Sequence, residues 1–279
     1  MQIKYVDAHC HVQFGAYDAD REELIGRMAE RGVAGIVVGC DRESSAQAVT
    51  LAEQHEHLYA AVGLHPNHES DEKYDISYYR ELAAHPKAVA IGECGLDYFR
   101  PAHVDAELKN RQQALLSEQI ALAAELDKPL IIHSRPAKKT PSSAKATKDR
   151  QDAYEDLIKM LQEAKVANPN LRGDIHFFVG GTREMRALVE LGFTVSFTAV
   201  ITFAREYDSV VRAVPSGSLL AETDAPYVPP TTRAKGSRND PLAVEDVVTK
   251  LAEIRGEDPE ALRGTTLANS NRLFGLPGL

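Results

Sequence analysis

The sequence predicts an α/β fold, a (β/α)8 TIM barrel formed as a single domain over residues 1–279. Three observations predict it. Apolar runs without a polar face alternate with amphipathic stretches, the pattern of parallel strands covered on both sides and joined by helical crossovers. The length of 279 residues suits one such barrel, which needs about 250. No glycine-rich dinucleotide fingerprint follows the first strand, so the usual reason to expect an open doubly wound sheet is missing.

The strand runs fall at 2–7, 33–40, 59–64, 88–94, 129–133, 174–179, 193–198 and 219–223, rich in Val, Ile, Leu and Ala. After the first comes DREELIGRMAERG (20–32), which places Leu24, Ile25 and Met28 on one stripe and ends at Gly32, a C-cap residue. RESSAQAVTLAEQH (42–55) follows the second strand and LKNRQQALLSEQIALAAELD (108–127) the fourth. DAYEDLIKMLQEAK (152–165), TREMRALVELG (182–192) and PLAVEDVVTKLAEIRG (241–256) continue the helical pattern. One segment breaks the rhythm. Residues 136–151 are poor in apolar side chains, and Lys138, Lys139, Lys145, Lys148 and Arg150 stand there against Asp149 alone. This predicts a basic, flexible loop at the end of the fifth strand, suited to holding single-stranded nucleic acid.

Composition narrows the class. Hydrophobic content of 43% and charged content of 26% are those of an ordinary globular protein. No run approaches the ~18 apolar residues of a membrane span. The N-terminus enters a strand without a signal pattern, so no membrane partner and a cytoplasmic location are expected. Three cysteines, Cys10, Cys40 and Cys94, are too few for a disulfide framework and are expected as buried thiols. A net charge of −9 argues against tracking along duplex DNA, although an enzyme gripping a few phosphates at a strand end remains compatible with it. A monomer or weak oligomer is expected.

Polar residues recur where the apolar runs end: His9 and His11, Glu93, His133, His176 and Asp224. In a parallel barrel the C-terminal strand ends converge on the face where active sites are built. Four imidazoles and two carboxylates brought together there are a ligand set for two divalent metal ions, Mg²⁺, Mn²⁺ or Zn²⁺. His9 and His11, two residues apart in an extended segment, project to the same side, while Cys10 faces away. Glu93 has two oxygens with which to bridge two cations, and Gly92 and Gly95 beside it suit a crowded strand end. A lone histidine such as His133 or His176 would more often be a core residue, but two at equivalent height favour ligation. Asp224 could ligate and also accept a proton from attacking water, so Asp224 and Glu93 are the candidate catalytic residues.

Three further residues are candidates for substrate contact. His65 ends the third strand and is expected to face the substrate. Arg135, two residues beyond His133, suits a phosphate. Glu222, two residues before Asp224, is expected to anchor a sugar or a metal-ligating side chain. The other histidines, His55, His57, His68, His85 and His103, fall in helices or loops, and most of them are expected to be solvated.

The motifs DAHCH, VGLHP, IGECGLDY, QIALAAELDKPLIIHSR, IHFFVGG, ETDAPY and NSNRLFG resemble, in order and spacing, those of the TatD family of metal-dependent deoxyribonucleases, a branch of the amidohydrolase-like TIM barrels. The resemblance runs nearly end to end. It implies one ion held by His9, His11, Glu93 and Asp224, another by Glu93, His133 and His176, and 3′–5′ exonuclease activity on single-stranded or frayed DNA ends. Two features depart from the family pattern. Residues 136–151 separate Arg135 from Asp152-Ala153, and the sixth-strand motif reads His176-Phe177-Phe178-Val179-Gly180 in place of His-Cys-Phe-Ser-Gly. The same barrel and H-x-H opening also serve amidohydrolases and esterases acting on cyclic amides, esters or lactones, so that chemistry stays open at this level. A non-catalytic scaffold is disfavoured, because buried polar clusters are costly to maintain without an occupant.

Overall fold

Eight parallel strands, β1 (Tyr5–Cys10), β2 (Val33–Val38), β3 (Leu58–Val62), β4 (Ala88–Asp97), β5 (Leu130–Arg135), β6 (Gly173–Ile175), β7 (Thr194–Phe197) and β8 (Leu219–Ala221), pair in sequence order as one sheet. The computed structural model describes residues 2–67, 73–101, 104–137, 153–234 and 236–278. Nearly all of the expected loop at 136–151, with His68 and His103, lies outside the described residues. No helix among those described is long and apolar enough to cross a membrane.

The sheet curls into a nearly closed barrel. Between β8 and β1 the seam is held beyond the regular ladder: Asp224 N donates to His9 O at 2.9 Å and His11 N to Ala225 O at 2.8 Å. The buried Asp7 carboxylate adds bonds from Thr223 Oγ1 at 2.6 Å and Thr223 N at 2.9 Å. A side chain thus does here what a strand ladder does elsewhere in the ring.

Alternation along the strands sorts the core in two. Val6, Ala34, Ile36, Ala61 and Ile131 share a buried cluster with Leu273, Phe274 and Leu276 from the C-terminal segment. Val33 and Val37 instead belong with Leu24, Ile25 and Met28 of α1 (Arg21–Arg31), which carries the expected stripe and ends at left-handed Gly32. The predicted helices are present as α1, α2 (Arg42–Gln54), α4 (Ala106–Glu125), α5 (Ala153–Ala167), α6 (Thr182–Glu190) and α8 (Val244–Arg255). Three helices lie in stretches where no helix was predicted: α3 (Ile76–Ala83), α7 (Asp208–Ala213) and α9 (Pro259–Phe274). The last packs against β1 and β8.

Two strands lose register where the site is built. β1 slips against β2 between Asp7 and Cys10, and β4 slips against β5 between Ile91 and Cys94. Such irregularities re-aim side chains. Ala8 lies in the interior cluster and Cys10 in the outer one, so the phase changes and His9 and His11 turn inward together. β4 also continues past the predicted end at residue 94, to Asp97. β6, by contrast, stops at Ile175 rather than residue 179. Phe177 there has φ +45°, its N–H is taken by Glu222 Oε1, and Phe178 N donates to Ser196 O, so the chain turns instead of extending.

Gly95 sits on β4 opposite His133 with φ +138°, and a Cβ there would lie 1.9 Å from the His133 carbonyl oxygen. The obstacle is β5 backbone, which cannot yield without moving His133. Gly95→Ala should therefore cost about 3 kcal/mol or more of stability, measurable by urea unfolding.

Candidate metal centre

Glu93, almost fully buried, is the hub. Its Oε1 faces His176 Nε2 at 2.8 Å, His133 Nδ1 at 3.1 Å and His65 Nε2 at 3.5 Å. Its Oε2 faces the other side, with His9 Nε2 at 3.7 Å and Cys40 Sγ at 3.4 Å. Next to that side, His11 Nε2 stands 3.1 Å from His9 Nε2 and 3.4 Å from Asp224 Oδ1. One carboxylate therefore divides its two oxygens between two clusters of imidazole.

The outer nitrogen of each ring fixes what the inner one offers, because a neutral imidazole carries a single N–H. His11 Nδ1 lies 2.8 Å from Val38 O, an acceptor, so it carries the proton and Nε2 keeps its lone pair toward Asp224. His133 Nε2 faces Asp97 Oδ2 at 3.2 Å, leaving the Nδ1 lone pair aimed at the hub. His176 Nδ1 faces Glu222 Oε2 at 3.4 Å, leaving Nε2 aimed there as well. This is the tautomer of metal-binding histidine, oriented by a carboxylate or carbonyl behind it. His65 is the reverse case. Its Nδ1 accepts from Asn67 N at 3.0 Å, so the neutral ring presents Nε2–H to Glu93. His9 Nδ1 has no hydrogen-bond partner among the described residues, and its ring stacks on His176 at 3.9 Å.

The electrostatics are those of a site that attracts positive charge. Burial opposes charge on His176, yet Glu93 and Glu222 raise its pKa well above the ordinary value. His133 is also raised, with Asp97 and Glu93 outweighing burial, and His11 likewise through Asp224. Glu93 is driven well below the carboxylate range despite burial, by His65 and His176 first. His9 is lowered by burial and His176, and His65 falls to about 3, chiefly through burial. Asp97, where burial is outweighed by His133 and by N–H donors from Phe99 and Arg100, falls to about 2. Its stabilising contribution is present above about pH 4 and is lost as pH falls toward 2.

A second buried pair lies behind His176. Ser196 Oγ is 2.5 Å from Asp174 Oδ2 and 2.6 Å from Glu222 Oε1. A hydroxyl has one proton to donate, so one of these bonds is made by a carboxylic acid. Burial and Glu222 push Asp174 up to about 7, so it holds its proton through the acidic range. The stability that this neutral acid contributes is complete at low pH and is lost as pH rises through about 7.

Of the predicted residues, His9, His11, Glu93, His133, His176 and Asp224 come together in this cluster. Glu222, expected to anchor a sugar or a metal-ligating side chain, is wholly buried, and its oxygens face His176, Ser196 and Phe177 N. Arg135 stands at the mouth with its guanidinium 3.8 Å above the Phe99 ring. His57 is buried rather than solvated, its Nε2 3.2 Å from Ile25 O, because the turn before β3 tucks under α1. Cys10 and Cys94 are buried, but Cys40 is only partly so and touches the hub. Sequence reasoning missed Asp97, Asp174 and Cys40 as neighbours of the site. Asp97 carried a signal: it follows Glu93 by four on one extended strand, and period-two alternation puts both on one face.

These residues fit metal ions. Among the described residues, His9–His11–Glu93, His65–Glu93–His133 and His9–His176–Glu222 each bring three donor atoms within 4.8 Å of one another. Facing nitrogens lie 3.1 Å apart for His9 and His11, and 3.3 Å for His133 and His176. Two imidazoles bound tetrahedrally to one zinc ion at ~2.0 Å stand ~3.3 Å apart, so the pairs have the spacing of ligands on a shared ion.

Comparison with known proteins agrees. A family model described as TatD related DNase matches residues 6–275. YabD of Bacillus subtilis (strain 168), an uncharacterized metal-dependent hydrolase, is 36% identical over 272 residues, covering 96% of this chain and 98% of its own. The 3′-5′ ssDNA/RNA exonuclease TatD of Escherichia fergusonii is 32% identical over 265 residues, covering 92% and 94%. The crystal structure of YjjV, a TatD homolog from Escherichia coli K12, superimposes with a TM-score of 0.83 at 31% identity, over 99% of this chain and 100% of that one.

Proposed function

The chain belongs to the TatD family of metal-dependent hydrolases, and we propose that it is a 3′–5′ exonuclease on single-stranded or frayed DNA ends, using two divalent ions. The observation that carries this reading is the division of the Glu93 oxygens between two histidine clusters, the arrangement of a carboxylate that bridges two cations. His9, His11, Glu93 and Asp224 would hold one ion, and Glu93, His133 and His176 the other. Bound ions would acidify a water molecule and neutralise phosphate charge.

The protein's own residues supply the rest. Val38 O, Asp97 and Glu222 fix three rings with their lone pairs inward. His65 offers an N–H that orients Glu93. Asp224, partly exposed at the cluster's edge, takes the proton of the attacking water as its oxygen bonds to phosphorus and the 3′ oxygen leaves. Arg135, edged against Phe99 at the mouth, faces the phosphate.

The test is digestion of 5′-labelled single-stranded DNA by metal-stripped protein with Mg²⁺, Mn²⁺ or Zn²⁺ restored. A metal-dependent ladder shortening from the 3′ end is expected. Silence in protein that has taken up its ions would overturn the nuclease reading in favour of a small ester or amide. Asp97→Asn should lower affinity for Zn²⁺ or Mn²⁺ by about 10–100-fold in calorimetric titration, because His133 loses its carboxylate partner.

A further inference from the structure

Two of the three large hydrophobic side chains exposed among the described residues stand on loops leaving neighbouring strands: Phe203 (54% exposed) after β7 and Tyr227 (49%) after β8. Phe14, following β1, is only partly buried, and its ring lies flat against His11, 4.5 Å away and tilted by 5°. Tyr227 presents its ring to the same imidazole at 6.4 Å and 70°. β7, β8 and β1 are consecutive in the ring, so the three aromatics leave adjacent strand ends, and Tyr227 and Phe14 meet at the His11 ring, whose Nε2 is 3.4 Å from Asp224.

Tyr227 is held in this half-exposed position. Its N–H donates to Asp224 O at 2.9 Å. Beneath it the fully buried Asn239 donates from Nδ2 to Thr223 O and Val228 O, both at 3.2 Å, and from its backbone N to Pro226 O at 3.1 Å. Tyr17 locks Asn239 in turn, through a 2.6 Å bond from its hydroxyl to the Asn239 carbonyl.

The far side of the mouth has the opposite character. β4 and β5 stand across the ring from β8 and β1, and their ends carry Arg100 and Arg135. Asp97 accepts from the backbone of Phe99 and Arg100, fixing the turn on which Arg100 sits, and Phe99 supports Arg135 from below. An occupant that spans this mouth has a flat apolar face on one side and negative charge on the other. An unpaired nucleotide has both.

We propose that Tyr227, with Phe14 at the same His11 imidazole, is the platform on which the unpaired base at the 3′ end stacks, while Arg100 and Arg135 face the phosphates. The inference rests on the nuclease reading above and adds how the strand end is oriented. Stacking requires a π face and no hydroxyl, so it separates the ring of Tyr227 from its oxygen. It also requires an unpaired base, so a paired terminus must fray before it is seated.

The experiment measures KM and kcat for wild type, Tyr227→Phe and Tyr227→Leu on two oligodeoxynucleotides, one ending in a normal 3′ nucleotide and one in an abasic tetrahydrofuran residue. Wild type and Tyr227→Phe should prefer the normal end by about tenfold or more, mainly in KM. Tyr227→Leu should lose most of that preference, with circular dichroism and thermal melting confirming its fold. Preference retained by the leucine variant, or lost equally by the phenylalanine variant, overturns the stacking platform while leaving the nuclease reading intact. A wild type inactive on the normal strand with every metal overturns both.

Discussion

Glu93→Gln should abolish turnover and metal uptake together, with activity falling on the order of 10³-fold or more. The substitution keeps the shape of the side chain but removes the charge that His9, His65, His133 and His176 all face. An amide also places an N–H₂ where an oxygen lone pair was presented, so one histidine cluster loses its carboxylate ligand atom whichever way the group is turned. Two measurements check this independently of catalysis. Elemental analysis should find fewer ions per chain, and the rise in melting temperature that Zn²⁺ or Mn²⁺ gives the wild type should shrink, since stabilisation by a ligand scales with its affinity for the folded state. Full metal content in an active Glu93→Gln protein would remove Glu93 from its place as the bridge.

Asp224→Asn should lower kcat by about 10²–10⁴-fold with a smaller change in KM, the signature of a lost general base. Asparagine is the informative replacement for a backbone reason. Asp224 has φ +50°, and Asn and Asp are the side chains other than Gly that enter the left-handed region most readily. The turn that bonds Asp224 N to His9 O and Tyr227 N to Asp224 O is therefore preserved. Asp224→Ala should add a stability loss of about 1 kcal/mol, because alanine pays the positive-φ strain without a local hydrogen bond. Comparing the two by thermal melting and by single-turnover kinetics separates chemistry from seam stability. An Asn variant with wild-type turnover would take Asp224 out of the proton transfer.

Much of this centre is legible along the chain. Apolar runs such as AVAI and LIIH have no polar face, and that alone states that their strands are covered on both sides. Chemistry placed where such runs end is visible too, because parallel connectivity sends those ends to one face. Glu93 and the five ligand candidates His9, His11, His133, His176 and Asp224 were all found this way. Their partners were found only in part. Glu222 was expected to anchor a sugar or a metal-ligating side chain and Asp97 was not singled out, and only with the strands laid side by side is it clear which imidazole nitrogen each one faces.

By itself the sequence determined the barrel, the order of its strands and the residue types at its reactive end, since hydrophobic periodicity and strand-end position are local properties of the chain. The tertiary structure decided the rest. Register slips in β1 and β4 turned His9, His11 and Glu93 inward, where strict alternation along a regular strand would have divided the inward and outward residues differently. Neighbours across the sheet chose each histidine's tautomer, raised the pKa of Asp174 and withdrew Glu222 from solvent. These outcomes depend on which groups share a low-dielectric interior, and that is fixed by strand pairing between residues far apart in the chain.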